Sequence, residues 1–167
     1  MKITKIECVK LDLPDGLKST PSTEKCWFNS DEVANPMSRF PKVKAHRKLW
    51  LPKWDSLWCK VTLEDGSWGL GLTDVGNIAA PIIKEHLAPN LVGEDAIAIE
   101  RISDMMFRLT KPYGTQGLAS YAISAIDLAL WDVKGKILKL PVSKLIGGPK
   151  NNKLFCYATG NDVQWYK

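Results

Sequence analysis

Histidine and closely spaced cysteines are scarce in this 167-residue sequence, and this limits the metal chemistry it can support. The chain has two histidines and four cysteines, with no CxxC pair. Structural zinc sites usually take four histidine or cysteine ligands at short paired spacings. We therefore predict neither a zinc site nor a disulfide framework. The cysteines are interpreted as reduced residues that mostly serve packing: Cys8, Cys26, Cys59 and Cys156.

Long apolar runs are also missing. The N-terminal stretch MKITKIECVKLDLP alternates charged and apolar residues and lacks the apolar segment of a secretory signal. No stretch approaches the roughly 20 apolar residues of a membrane span. We therefore expect a cytoplasmic protein with no membrane partner. The composition, 45% hydrophobic and 25% charged, is typical of one ordinary globular domain.

Alternating apolar and polar residues predict three strands. In residues 5–13, Val9 and Leu11 alternate with charged neighbours, which indicates a strand with one wet face. Residues 57–63 and 68–72 alternate more clearly. Between them stands Asp-Gly at 65–66, which predicts a hairpin with a type I′ turn. The first part of the chain therefore reads as a three-stranded antiparallel meander.

A connection of about 43 residues, 14–56, separates the first two strands and contains five prolines and three tryptophans. So long a connection is typical of a lid, a binding loop or a disordered segment, and the aromatic residues argue against disorder. Within it, residues 38–53 hold six Lys or Arg and no acid. This stretch is either a solvated basic face or a flap that receives an anion. Nucleic-acid binding is the weakest reading, because the net charge is only +5 and no nucleic-acid module is present.

The second half predicts three helices. The first is capped by Asn77 and tolerates Pro81 in its first turn. The second begins at Asp95 and ends at Lys111-Pro112. The third is followed by a proline and by a short turn that the glycines 147–148 close. Together with the meander, these helices predict an α+β fold.

The third helix has a long apolar stripe that includes several small residues. Small residues there predict close approach to a neighbouring helix, and Gly135 predicts a backbone passing nearby, since glycine weakens a helix by about 1 kcal/mol relative to alanine. Asp132 and Lys136 are placed to pair at i,i+4 on the exposed side. The stripe consists of Ala122, Ile126, Ala129, Val133, Ile137 and Leu140.

The stretch AISAIDLALWDVKGKILKLPVSKLIGG and the following LFCYATG resemble the end of the N-terminal capping domain of the enolase superfamily, in its mandelate racemase and muconate lactonizing branch. The segment NPMSRFPKVKAHRKLW, the long loop before it and YATG look most like the acid-sugar dehydratases of the L-rhamnonate dehydratase group. The resemblance implies a capping domain over 1–149 and the start of a truncated β/α barrel over 150–167. Its first and only barrel strand would span residues 153–162.

In such enzymes, the resemblance implies, the cap selects the substrate, while the barrel supplies Mg²⁺ ligands and the acid and base residues. The chain would then be the specificity cap of a Mg²⁺-dependent dehydratase, a lyase acting on an aldonate such as L-rhamnonate, or of an isomerase of that branch. We assign it no catalytic and no metal-binding residue. Taken alone it should be inactive and bind no Mg²⁺. We expect an acid-sugar substrate, a barrel-bearing partner chain or C-terminal domain, and a homo-oligomer.

Arg47 is the one substrate-binding residue that the resemblance predicts, because it matches the capping-domain arginine that reaches the substrate. A guanidinium suits a carboxylate or a sugar hydroxyl, although a solvated arginine on a basic loop remains the alternative. Relatives also use a histidine from the earlier loop, whereas residues 14–45 contain none, which leaves the particular sugar open. His46 would point away from Arg47 on an extended segment. Trp27 is read as a local hydrophobic anchor more than a pocket wall.

Two other functions stay open. The chain is alternatively a non-catalytic remnant or interaction module, which would associate through an apolar surface around the third helix. As a basic nucleic-acid binder it would show steeply salt-dependent affinity, and we expect no nucleic-acid partner.

Overall fold

The computed structural model describes residues 1–11, 36–44, 55–151 and 153–157. The chain divides into two compact units, Met1–Asp12 with Trp54–Lys150 and Leu13–Lys53 with Asn151–Lys167. The first unit contains a three-stranded sheet and the long helices, so the predicted α+β class and the meander are confirmed. The predicted domain boundary between residues 149 and 150 stays a prediction.

The sheet is antiparallel, and its strand order follows the sequence. Its strands are β1 (Ile3–Val9), β2 (Leu57–Leu63) and β3 (Trp68–Thr73). The faces predicted for the first strand are wrong: Leu11 is exposed, and the buried residues of β1 are Ile3 and Ile6. A register irregularity between Ile3 and Lys5 breaks the simple alternation there. Which face of β1 is buried therefore depends on its pairing and not on the local pattern.

The hairpin between β2 and β3 is confirmed, but the predicted type I′ turn is wrong. That turn needs positive φ at both central residues, whereas among the two only Gly66 has it, at 81°. The Gly66 N–H donates to the Leu63 carbonyl at 3.0 Å, and the Leu63 N–H donates to the Ser67 carbonyl at 2.9 Å. The connection is thus a three-residue loop whose last residue is left-handed. The Asp65 carboxylate accepts the Ser67 N–H at 2.9 Å and holds this loop together.

Helices follow the sheet. They are α2 (Gly76–Pro81), a π-helical turn (Ile82–Leu87), α3 (Ala88–Leu91), α4 (Ile99–Thr110), a 3₁₀ turn (Lys111–Tyr113), α5 (Leu118–Leu138) and α6 (Val142–Leu145); α1 (Pro41–Lys44) lies in the second unit.

Two predicted helix starts are wrong. The first helix begins at Gly76, so Asn77 lies inside its first turn and does not cap it. Pro81 ends α2, and hydrogen bonding continues in the wider π pattern, because proline has no N–H and its ring crowds the preceding turn. The α4 helix begins at Ile99. Asp95 instead bridges to Lys2 and accepts the Ile97 N–H at 3.2 Å.

The α5 helix lies directly on β3, and two glycines permit this. A Cβ atom on Gly69 would come within 2.6 Å of the Val133 nitrogen, and one on Gly71 within 2.8 Å of the Ala129 nitrogen. The close approach predicted from small residues is therefore real, but its partner is a strand and not a helix. The backbone predicted near Gly135 is the chain's own return after α5, with the Leu140 carbonyl oxygen at 3.0 Å from the Cβ position.

The core lies between the inner face of the sheet and the helices. It includes the inward residues of β2, residues spread along the Gly76–Leu91 helical segment and the α5 stripe as far as Val133. Leu140, the last residue of the predicted stripe, is 41% exposed, because α5 has ended and the chain has turned at Lys139 (φ 52°). Glycines 147 and 148 close the turn after α6 as predicted, with the Gly148 N–H donating to the Ser143 carbonyl at 2.8 Å.

The described part of the second unit is small. It contains α1 and a turn before it, in which the Phe40 N–H donates to the Met37 carbonyl at 3.0 Å. Residues 153–157 do not form a strand, so the described part of the predicted barrel strand is not observed. A strand requires a hydrogen-bonded neighbour, and none of the described residues pairs with this segment. The remainder of that prediction, residues 158–162, lies outside the described residues.

Candidate functional site

The strand residues on either side of the loop that is predicted to bind substrate lie next to each other at one end of the sheet. Val9, the last residue of β1, pairs with Trp58 near the start of β2. Beyond this pair, on the side of the loop, the Lys10 ammonium lies 3.7 Å from the Asp55 carboxylate. Both side chains are largely exposed, so this ion pair adds little stability. The strand pairing is what brings the two ends of the loop side by side.

The same end of the sheet is fixed to the first helix. The Gly76 N–H donates to the Asp55 carbonyl at 2.8 Å, and Gly76 itself is buried. A Cβ atom on Gly76 would lie 2.5 Å from the Leu57 Cβ and 2.7 Å from the Asp55 carbonyl oxygen. No other residue fits here without moving β2 away from α2. Sequence reasoning missed this glycine, because the pattern around it shows nothing of the strand that it contacts.

The one predicted substrate-binding residue, Arg47, lies outside the described residues. So do His46 and Trp27, which the sequence did not assign to the site. The described part of the basic stretch shows Arg39 and Lys42 exposed. The role of Arg47 therefore stays a prediction. Arg39 is an exposed arginine of the same stretch and can serve as a comparison.

A polar clamp on α5 holds the outer edge of β3. The Asp132 Oδ2 accepts the Leu70 N–H at 2.8 Å and also pairs with the Lys136 ammonium at 2.7 Å. Lys136 in turn donates to the Trp68 carbonyl at 3.2 Å, and its ammonium lies 3.9 Å from the centroid of the Trp68 ring. The predicted i,i+4 pair is confirmed. Its second role is to satisfy an edge strand that has no neighbour on that side among the residues the structure describes. That role was missed because it joins residues 62 positions apart.

Exposed apolar side chains cluster in sequence around the end of α5 and in α6. The most exposed of them is Ile146, at 67%. Such a group is larger than the isolated exposed leucine that is normal on a protein surface. Its members are Leu138, Leu140, Val142 and Ile146, here called the α5–α6 apolar group.

Among the described residues, no three His, Cys, Asp or Glu side chains converge in a way that would hold a metal ion. The described helices also include none that is both long and apolar enough to cross a bilayer.

The sequence matches the family described as "Mandelate racemase / muconate lactonizing enzyme, N-terminal domain" over residues 56–147, which is more than half of the chain. The chain belongs to this family. The resemblance to an enolase-superfamily capping domain that the sequence predicted is thereby confirmed. The matched residues include the hairpin, the α5 helix and the first of the closing glycines.

Members of the family that are similar to this chain include dehydratases. L-rhamnonate dehydratase of Saccharopolyspora erythraea is 42% identical over 137 residues, which cover 81% of this chain and 35% of that protein. The crystal structure of L-rhamnonate dehydratase from Gibberella zeae matches with a TM-score of 0.76 and 28% identity, over 90% of this chain and 35% of that one. A structure of the Gibberella zeae rhamnonate dehydratase complexed with Mg matches equally well, with a TM-score of 0.76, 27% identity, and coverage of 90% and 37%. The chain therefore spans about a third of the length of these relatives.

Proposed function

We propose that this chain is the substrate-specificity cap of a Mg²⁺-dependent acid-sugar dehydratase that acts on an aldonate such as L-rhamnonate. The observation that supports this most is the similarity to L-rhamnonate dehydratases along most of the chain, in sequence and in fold. The loop between β1 and β2 is the part of the cap that would meet the substrate. Its two ends are held side by side by the Val9–Trp58 pairing and by the contact of Gly76 with Asp55.

Arg47 is the residue we propose to bind the substrate carboxylate or a neighbouring hydroxyl. A guanidinium presents several N–H donors in a planar fork, which matches a carboxylate with two parallel hydrogen bonds. It lies in a stretch with six basic residues and no acid, so an anionic sugar acid would be attracted there.

Magnesium and the proton-transfer groups are proposed to belong to a barrel-bearing partner and not to this chain. The described residues offer no cluster that fits the ion. We propose that the α5–α6 apolar group contacts that partner, because its apolar side chains are exposed. The relatives are about three times as long as this chain, so the partner would supply the other two thirds. Removing those side chains from water would contribute roughly 25 cal/mol per Å² of apolar surface buried.

The first experiment tests the partner. The chain is co-expressed with the remaining two thirds of the Saccharopolyspora relative, and co-purification is measured together with the Mg²⁺-dependent loss of water from L-rhamnonate. We expect a complex and measurable dehydration. Ile146→Asp should weaken the complex, whereas Val92→Asp, at a site 49% exposed outside the apolar group, should not. Absence of any complex would contradict the proposed partner.

The second experiment tests Arg47 within that complex. Arg47→Ala should raise KM for L-rhamnonate by roughly 10- to 100-fold, since a hydrogen bond to a charged group contributes about 1.5–3 kcal/mol. Arg47→Lys should recover only part of the loss, because lysine cannot form the two-pronged contact. The matched control is Arg39→Ala, an exposed arginine of the same basic stretch. Equal effects at both positions would show that only general positive charge matters.

A further inference from the structure

Two of the cysteines face each other across the sheet. Cys8 of β1 and Cys59 of β2 are directly opposed partners in the antiparallel register. Directly opposed residues project to the same face, and here that face is the one covered by helices. Cys59 is fully buried, Cys8 is only partly buried, and both are free thiols.

The hydrogen bonds around β2 show what kind of pair this is. The Leu63 N–H donates toward β3, to the Ser67 carbonyl, whereas the Glu64 N–H donates toward β1, to the Lys2 carbonyl. Successive residues of a strand direct their N–H and C=O groups to opposite sides. Cys59, four residues before Leu63, therefore bonds toward β3. It follows that Cys8 and Cys59 form a pair without mutual hydrogen bonds.

Such pairs bring side chains closest together in an antiparallel sheet. Their Cα atoms are typically about 4.5 Å apart, and their Cβ atoms lie at the short end of the roughly 4.5–5.5 Å found for opposed residues. A disulfide needs a Cα separation of about 4.4–6.8 Å and a Cβ separation of about 3.5–4.5 Å. A small approach of the two Cβ atoms would therefore bring a pair of this kind into the geometry of a disulfide.

We propose that Cys8 and Cys59 form a reversible intramolecular disulfide when the chain meets a low-molecular-weight disulfide such as oxidised glutathione. The more accessible Cys8 thiolate attacks one sulfur of the small disulfide, which forms a mixed disulfide and releases one small thiolate. The Cys59 thiolate then attacks the Cys8 sulfur, closes the protein disulfide and releases the second small thiolate. The two cysteines lose two electrons and two protons, and the small disulfide gains the two electrons.

The surroundings of the two thiols explain which of them reacts first with the small disulfide. Burial raises the pKa of the Cys59 thiol strongly, with the neighbouring Cys8 adding to the effect. Burial also raises the pKa of Cys8, while the positive charge of Lys84 opposes that shift. Only the thiolate is nucleophilic, so spontaneous oxidation is slow and attack begins at the less buried sulfur.

The bond would close the 50 residues 9–58 into a covalent loop whose ends are already paired in the sheet. Because the folded chain holds these ends together without the bond, the cross-link mainly restricts the unfolded chain. Oxidation should therefore raise the midpoint of thermal unfolding and leave the folded structure unchanged. This inference does not depend on the proposed dehydratase function.

The test uses the whole chain with Cys26→Ser and Cys156→Ser, so that only the opposed pair can react. The folded protein is incubated with oxidised glutathione, quenched with acid, alkylated in denaturant, and analysed by intact mass and peptide mapping, because the buried Cys59 would escape alkylation in the folded chain. We expect a loss of two hydrogen atoms, no alkylation of either cysteine, and a peptide pair linked through them. The far-UV circular dichroism spectrum should stay the same and the unfolding midpoint should rise. Adding Cys8→Ser, at a partly exposed position, should abolish the mass loss, the linked peptide pair and the rise in the unfolding midpoint.

Three results would overturn the proposal. The first is that both cysteines are still alkylated after the folded chain has been incubated with oxidised glutathione. The second is a stable glutathione adduct on Cys8 that never resolves, since this would show that Cys59 cannot reach it. The third is a link that forms only after urea is added, since this would show that the folded register holds the sulfurs apart.

Discussion

Replacing Gly71 with alanine should destabilise the fold far more than one added methyl group normally does. The new Cβ would lie 2.8 Å from the Ala129 nitrogen and 2.9 Å from the Leu128 Cβ, closer than the 3.0 Å that real Cβ atoms respect. The atoms on the α5 side include helix backbone, which cannot swing aside as a flexible side chain can. Relief therefore requires α5 to move off β3 or the strand to bend.

The magnitude follows from two opposed effects. Overpacking of a close-packed core costs about 1–3 kcal/mol and sometimes more, and contact with backbone places this site at the upper end. Alanine also restricts the unfolded chain, which returns about 0.4–1 kcal/mol. We expect a net loss of about 2–3 kcal/mol in the free energy of unfolding. For a chain of this size that corresponds to a fall in Tm of roughly 4–12 °C.

The assay is urea unfolding followed by circular dichroism, together with a thermal melt. Gly66→Ala in the turn of the same hairpin is the control, because no atom lies within 4 Å of its Cβ position. Its cost comes from the positive φ alone, about 1–2 kcal/mol. A Gly71→Ala protein within about 0.5 kcal/mol of the parent would refute the argument, since it would mean that α5 and β3 do not touch as closely as described.

Two further predictions concern carboxylates. Asp132→Ala should lower the free energy of unfolding by about 1–3 kcal/mol in urea titrations, because it leaves the Leu70 N–H without its acceptor. The control Asp104→Ala breaks an exposed i,i+4 pair and should change the free energy of unfolding little. Similar losses for both variants would argue against the clamp. Two hydrogen bonds, the stronger from the Ser67 N–H and the other from the Ser67 hydroxyl, hold the pKa of the Asp65 carboxyl below its ordinary value. The ionised carboxylate therefore contributes stability above about pH 3.9, and this contribution disappears as the pH falls through the folded-state pKa. Carboxyl NMR titration should show a midpoint below that of a model aspartate, which Ser67→Ala should move only part of the way back; an ordinary midpoint in the parent would contradict the turn geometry.

Much of the fold follows from local patterns. Strict alternation in residues 57–63 and the Asp-Gly that follows predict the hairpin, since side chains alternate along a strand and glycine permits positive φ. The proline after α5 and the two glycines after α6 similarly predict where those helices end. The Asp132–Lys136 pair follows from helical spacing alone. These features need only a few consecutive residues, so an isolated sequence is sufficient to find them.

The candidate site was less predictable. Its loop was predicted from length and composition and Arg47 from a resemblance, and both stay predictions, whereas the residues that hold the ends of the loop were missed. Gly76 and Asp55 are separated by 21 positions, and their contact exists only once β2 and α2 are packed. No periodic signal marks a glycine whose purpose is to let another segment of the chain approach.

The sequence by itself determined the α+β class, the hairpin and the approximate extent of the main helices, because each arises from the spacing of apolar and turn residues within a short window. Only the tertiary structure decided what those elements touch: that Gly71 faces a helix, that β1 buries Ile3 and Ile6 and leaves Leu11 exposed, and that Cys8 lies opposite Cys59. Each of these facts joins residues far apart in the chain. Such contacts are selected by the joint packing of the whole unit, in which a shift of one residue in register would turn a strand's side chains to the other face.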